Sequence, residues 1–188
     1  SKKLPSSRRA VLFDPWVAGE LLELVAGLLA ADQVQLGKSL LAGKRGKKIG
    51  SALVNFKDDP RLKSGLGSSL FDDEGSPTRA KTMIESGVVS DYFYDTAAAH
   101  RDGRPSNASA GRDSFRGLPH PSSSNFFLEG GPLSREQIIS DTKDGILVLD
   151  IMGMHTADPI SGEFSVGVSG VAVQNGRLTH AVAGAMIS

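Results

Sequence analysis

The sequence predicts an α+β chain: mostly antiparallel β-sheet, open and barrel-like, with a few packed helices. Three observations carry this expectation. Strand-like runs outnumber helical ones; only Asp14-Pro15 and Ser134, with Gln137 three residues on, carry strong helix-start chemistry; and Gly153 to Ile187 reads as one long hairpin about Asn175-Gly176. Asn-Gly readily supplies the two positive-φ residues of a type I′ turn, the turn whose twist suits a two-residue hairpin loop.

A chain of 188 residues fits one domain, or one and a fraction, and can bury roughly 70% of its extended surface. Lysine plus arginine equals aspartate plus glutamate at 21 each, so no net field selects nucleic acid or anionic lipid. There is no cysteine, which excludes disulfides and thiolate metal ligands. Basic Ser1-Lys2-Lys3 and Arg8-Arg9 precede an apolar stretch, but Asp14, Glu20 and Glu23 interrupt it, and a signal peptide needs an unbroken apolar core. The uncharged run Leu24 to Ala31 is far below the ~20 residues that span a bilayer, so no membrane association is expected.

In order along the chain, Arg9 to Phe13 is a short apolar run that ends at Asp14-Pro15, an N-cap and first-turn proline. The helix that follows carries Leu21, Leu22, Val25, Leu28 and Leu29 at helical spacing and ends near Ala31 or Asp32. Gln33 to Ala42 reads as a second short helical piece, and Gly43 to Lys48 as a basic, solvated loop. Ile49 to Phe56 reads as a strand stopped by Asp58-Asp59-Pro60. Phe71-Asp72-Asp73-Glu74-Gly75 lacks the ligand spacing of a calcium loop and reads as a turn whose carboxylates bond backbone amides. Lys81 to Ile84 and Val88 to Tyr94 form a hairpin turning at Glu85-Ser86-Gly87. Thr96 to His100 is one helical turn. Arg101 to Ser124 is a loop too long for a mere connection, hence mobile or functional. Asn125 to Leu128 returns to strand, Ser134 opens a helix by a capping box with Ile138 and Ile139 buried, Gly145 closes it, and Ile146 to Ile151 is a buried strand.

A two-residue loop sets the register of the last hairpin: Gln174 faces Arg177, Val173 faces Leu178, and pairing runs out to Phe164 opposite Ile187. One face then carries Phe164, Val166, Val168, Gly170, Ala172, Thr179, Ala181, Ala183, Ala185 and Ile187. The other holds Ser165, Ser169, His180, Val182 and Met186, with Gly167 opposite Gly184. Paired strand glycines mark a bulge, tight packing, or a place where another chain lies against the sheet.

No catalytic constellation assembles from the residues alone. The histidines at 100, 120, 155 and 180 stand at no metal-ligand spacing, and neither a nucleophile elbow nor a phosphate loop is present. His155, on a glycine-flanked loop, is the one histidine singled out for a site, beside the plainer reading of a solvent-facing residue.

Met152-Gly153, Gly162-Glu163-Phe164-Ser165, Gly170 and Asn175-Gly176-Arg177, with Asp58-Asp59-Pro60, Phe71 to Gly75, Ile84 to Val88 and Gly130 to Ser134 upstream, resemble the TldD/PmbA family, also called the modulator of DNA gyrase family. The resemblance covers most of the chain. It implies that residues 1–188 form the C-terminal domain of an α+β protein, with an N-terminal domain before Ser1 and a last segment after Ser188 both absent. In the TldD branch the first helix carries HExxxH, whose histidines bind zinc beside a glutamate base. By the resemblance Glu23 and Leu28 stand at the histidine positions and Leu24 at the glutamate, and the branch's cysteine ligand has no counterpart. This implies the zinc-free PmbA/TldE branch. The chain is then expected to be a non-catalytic subunit of a cytoplasmic metallopeptidase, without metal or cofactor of its own. Zinc is expected only in a TldD-like partner, and self-association is the other assembly. The substrate is a peptide, and direct nucleic-acid binding is not expected. Gly167, Gly184, Ser165, Ser169 and His155 are the candidate peptide or partner contacts. The competing expectation is a stand-alone regulator of gyrase or another protein.

Overall fold

The computed structural model describes residues 7–188; Ser1, Lys2 and Lys3 of the basic N-terminal stretch lie outside the described residues. Strand β1 (Ala10–Phe13) leads into helix α1 (Pro15–Leu28). Asp14 starts α1, its carbonyl accepting from Ala18 N at 2.9 Å and its Oδ1 from Trp16 N at 3.3 Å. The helix stops at Leu28, short of the expected Ala31, and α2 (Ala31–Gln35) replaces the longer piece expected from Gln33. Strand β2 (Phe56–Asp58) takes only the end of the expected Ile49–Phe56 strand. The amides of Ile49 and Gly50 are bound instead to the Gly87 carbonyl, at 2.8 and 3.2 Å.

Strands β3 (Lys81–Glu85) and β4 (Val88–Val89) form the expected hairpin, shorter on its second arm, with Ser86 and Gly87 at φ 49° and 75° in the turn. Helix α3 (Thr96–Arg101) is capped by the Asp95 carboxylate, which accepts from Ala98 N. Within the long loop, β5 (Ala110–Gly111) and β6 (His120–Pro121) pair as a short ribbon, and β7 (Phe126–Leu128) follows. Helix α4 (Arg135–Asp141) has both bonds of the Ser134–Gln137 capping box, but none of its residues is buried, against the expectation for Ile138 and Ile139. Gly145 lies inside β8 (Asp144–Met152) rather than ending the helix. A 3₁₀ turn (Met154–Thr156) then leads to β9 (Val166–Gln174) and β10 (Arg177–Ile187).

The chain divides into two compact units, the boundary falling within α1: residues up to Leu21 with Gly131–Ser188, and Leu22–Gly130. The first holds a sheet in the order β1-β8-β9-β10, antiparallel except for the parallel pair β1–β8. Its core joins Val17 to Ile146, Val148, Ile151, Val166, Val168, Ala172 and Val182. The second holds the antiparallel sheet β4-β3-β2-β7 and the β5–β6 ribbon. Leu29, Met83, Val89, Tyr92, Phe93 and Tyr94 form its core, with Val25, Leu28 and Phe126 packed alongside. The α+β class with mainly antiparallel sheet is as expected; among the described residues no sheet closes into a barrel. Leu21, Leu22, Val25 and Leu28 are half-buried, whereas Val17, Leu29 and Ala31 are fully buried. Val25 and Leu28 pack at the edge of the second unit's core, whereas Val17 enters that of the first.

The long hairpin departs from its expected register. Asn175 and Gly176 have φ 49° and 76°, and Gln174–Arg177 and Val173–Leu178 pair as the turn requires. Two bulges then insert residues into β10, between Leu178 and Ala181 and between Val182 and Ala185. Each extra residue reverses the parity of the side chains beyond it. Val182 therefore turns into the core while Ala181 and Ala183 are exposed, and the second bulge returns Ala185 and Ile187 to the core face. Ile187 ends opposite Val166, not Phe164.

Candidate functional site

Three places carry chemistry, each within a single unit. On α1, Glu23 is exposed while Leu24 and Leu28 are half-buried, and Leu28 packs against the core that contains Leu29 and Tyr92. A zinc ligand must offer nitrogen, oxygen or sulfur; two of these three side chains are hydrocarbon, and zinc does not fit them. Among the described residues no three His, Cys, Asp or Glu side chains gather in a geometry that could hold a metal.

The second place is the hairpin surface. Gly167 faces Met186, not Gly184, so the two glycines do not stand opposite each other as expected. Gly184 has φ +65° and sits in the second bulge, a conformation glycine adopts at no steric cost. A Cβ at Gly167 would lie 3.7 Å from Met152 Cε, in ordinary contact. Gly170, within β9, cannot carry a side chain, because its Cβ would overlap the Leu147 carbonyl. Ser169 is half-buried, its hydroxyl 3.4 Å from Asp150 Oδ2. Ser165 is exposed and, with Thr156, Asp158, Glu163, Phe164 and Ser188, lines an open hollow of about 650 Å³. His155 is exposed on the 3₁₀ turn, which Gly153 opens at φ 91°. The amides of Ile160 and Ser161 hold the Asp158 carboxyl below its usual range. Ser165, His155 and the Asp158 loop thus share one end of this unit, while Ser169 lies within the β9 ladder.

The third place is a polar cleft of about 190 Å³ in the other unit, which sequence reasoning missed as a site. Asp58, 0% exposed, accepts from Ser124 N at 2.7 Å, Ser124 Oγ at 2.9 Å and Lys81 Nζ at 3.2 Å. Lys81, its side chain 7% exposed, also donates to the Ala108 carbonyl at 3.3 Å. Asp72 holds the acidic turn as expected, Oδ1 accepting from Glu74 N and Ser76 N, and Oδ2 reaching Ala110 N. The Glu74 carboxylate accepts from the amide and hydroxyl of Thr96. The Arg101–Ser124 loop is therefore a wall of this cleft. A buried aspartate beside an aspartate–proline turn offered no periodic signal, because its partners stand far away in the chain.

The family model described as the PmbA/TldA metallopeptidase C-terminal domain matches residues 6–188. The chain belongs to the PmbA/TldD family. A metalloprotease of Methanocaldococcus jannaschii is 31% identical over 192 residues, 100% of this chain and 42% of the relative. Metalloprotease PmbA of Escherichia coli O157:H7 is 28% identical over 181 residues, 96% of this chain and 38% of the relative. Among solved structures, a protein of Thermotoga maritima described as a putative modulator of a DNA gyrase superposes with TM-score 0.90 at 32% identity, covering 99% of this chain and 42% of that one. TldE from Thermococcus kodakarensis gives 0.80 at 26% identity, with 96% and 42% covered. The chain thus spans roughly two fifths of the length of these PmbA/TldD relatives.

Proposed function

We propose that this chain acts as a PmbA/TldE-like, non-catalytic subunit of a cytoplasmic metallopeptidase that cleaves peptides, with zinc carried by a TldD-like partner. The observation that carries the reading is on α1. Leu28, at a histidine position of HExxxH by the resemblance, packs against an apolar core, and Leu24, at the position of the glutamate base, has no group that could accept a proton. The exposed end of the hairpin, with Ser165 and His155, is the contact for peptide or partner, together with Gly167 and Ser169 on β9. Gly184 keeps its place in that set only as the residue that shapes β10.

The test is co-purification of the full-length protein with its cellular partner, followed by separation of the chains and metal analysis of each. Zinc is expected with the partner alone. Stoichiometric zinc on this chain, surviving dialysis against a weak chelator, would refute the reading. A second reading, a stand-alone regulator of gyrase or another protein, draws on the description of the Thermotoga relative. It predicts no zinc-bearing companion and no peptide turnover in the purified material.

A further inference from the structure

The polar cleft holds buried groups that the fold does not satisfy. Ser109 lines it, is 4% exposed, and its hydroxyl has no hydrogen-bond partner. Few native side-chain hydroxyls are left so, and an orphan of this kind is accounted for by water or a ligand. Lys81 lines the same cleft. An ammonium carries three protons; Asp58 and the Ala108 carbonyl engage two of them, and Ala108 is the residue joined to Ser109. The interior of the cleft therefore offers two unspent donors, one on a cation.

The exposed rim has the opposite character. Asp73 lines the cleft and is exposed, and among the described residues its carboxylate accepts no hydrogen bond, whereas every Asp72 oxygen is engaged. Three carboxylates, Asp58, Asp72 and Asp73, line the cleft with one ammonium, so a simple anion meets net repulsion. A simple cation would leave the two inner donors unmet. A molecule that carries both an oxyanion and an ammonium answers both the interior donors and the rim carboxylate. The volume of about 190 Å³, some six waters at ~30 Å³ each, admits a small molecule of this kind, and Phe71, Ala108 and Ala110 supply apolar lining for a short side chain.

We propose that this cleft binds a small zwitterion of the α-amino acid class, its carboxylate on Lys81 and Ser109 and its ammonium at Asp73. The site lies wholly within one unit and does not rest on the peptidase reading. The test titrates isotope-labelled full-length protein with L-alanine, N-acetyl-L-alanine, which lacks the ammonium, and L-alaninamide, which lacks the carboxylate. L-Alanine should shift the amides of Ser109, Ala110 and Ser124 saturably, with each analogue about tenfold weaker. Asp73→Asn should weaken L-alanine and L-alaninamide but not N-acetyl-L-alanine. Ser109→Ala should weaken L-alanine and N-acetyl-L-alanine but not L-alaninamide, with Tm unchanged or raised, because no internal hydrogen bond is lost. No saturable shift with L-alanine would leave the cleft to ordered water and overturn the proposal. Equal binding of all three compounds, or a lowered Tm for Ser109→Ala, would do the same.

Discussion

Replacing Lys81 by methionine would test how the cleft unit is held together. The substitution keeps an unbranched side chain, one atom shorter, and removes its charge, leaving the fully buried Asp58 carboxylate with only the amide and hydroxyl of Ser124. Breaking one side of a buried ion pair costs about 3–5 kcal/mol, because the remaining charge stays out of water without its counterion. Asp58→Asn should cost a similar amount from the other side, stranding the Lys81 ammonium on the Ala108 carbonyl. The double variant should lose less than the sum of the two, since neither charge is then left alone. Urea unfolding followed by near-ultraviolet circular dichroism reads this unit selectively. Both tyrosines, Tyr92 and Tyr94, lie in it and are buried, whereas Trp16 belongs to the other unit and is 83% exposed. A loss under about 1 kcal/mol for Lys81→Met, at unchanged dependence on urea, would mean that water reaches the pair, and the burial argument would be wrong.

The hairpin glycines separate cleanly on substitution. Gly167→Val meets only ordinary contact with Met152 and has an extended backbone, so its Tm should stay within a degree or two of the parent; a collapse on heating would show packing the geometry lacks. Gly184→Val forces a β-branched residue to φ +65° and should cost about 1–2 kcal/mol in the same melt, with no loss pointing to a bulge that can move. Burial, then the hydrogen bond to Asp102, pushes the Tyr94 hydroxyl up to about 12, against an ordinary value near 10. The folded state thus favours the protonated phenol. That contribution, roughly 2 to 3 kcal/mol, is complete below pH 10 and is lost as pH rises toward 12. In Tyr92→Phe, which leaves Tyr94 as the one tyrosine, tyrosinate absorbance should rise well above the ordinary range; a midpoint near pH 10 would mean that this packing is absent.

What the sequence determined by itself is the set of features whose causes lie a few residues apart. Asn175-Gly176 and Ser86-Gly87 turn because of their own backbone freedom. Ser134 and Gln137 cap α4 reciprocally, and Asp72 gathers the amides of its own loop. The ordered motifs from Asp58 to Arg177 likewise marked the family, which the match over residues 6–188 confirms. The identity of Leu24 and Leu28 was legible; that Leu28 packs into a core was not. Tertiary structure alone decided the faces of β10, the half-burial of the α1 stripe and the Asp58–Lys81–Ser124 cleft. The reason is parity and distance. A single bulge reverses every side chain beyond it, and whether a bulge forms depends on how the partner strand and core accept the extra residue. Likewise, a buried carboxylate finds its cation only after β2 and β3 have paired and the loop ending at Ser124 has folded over them.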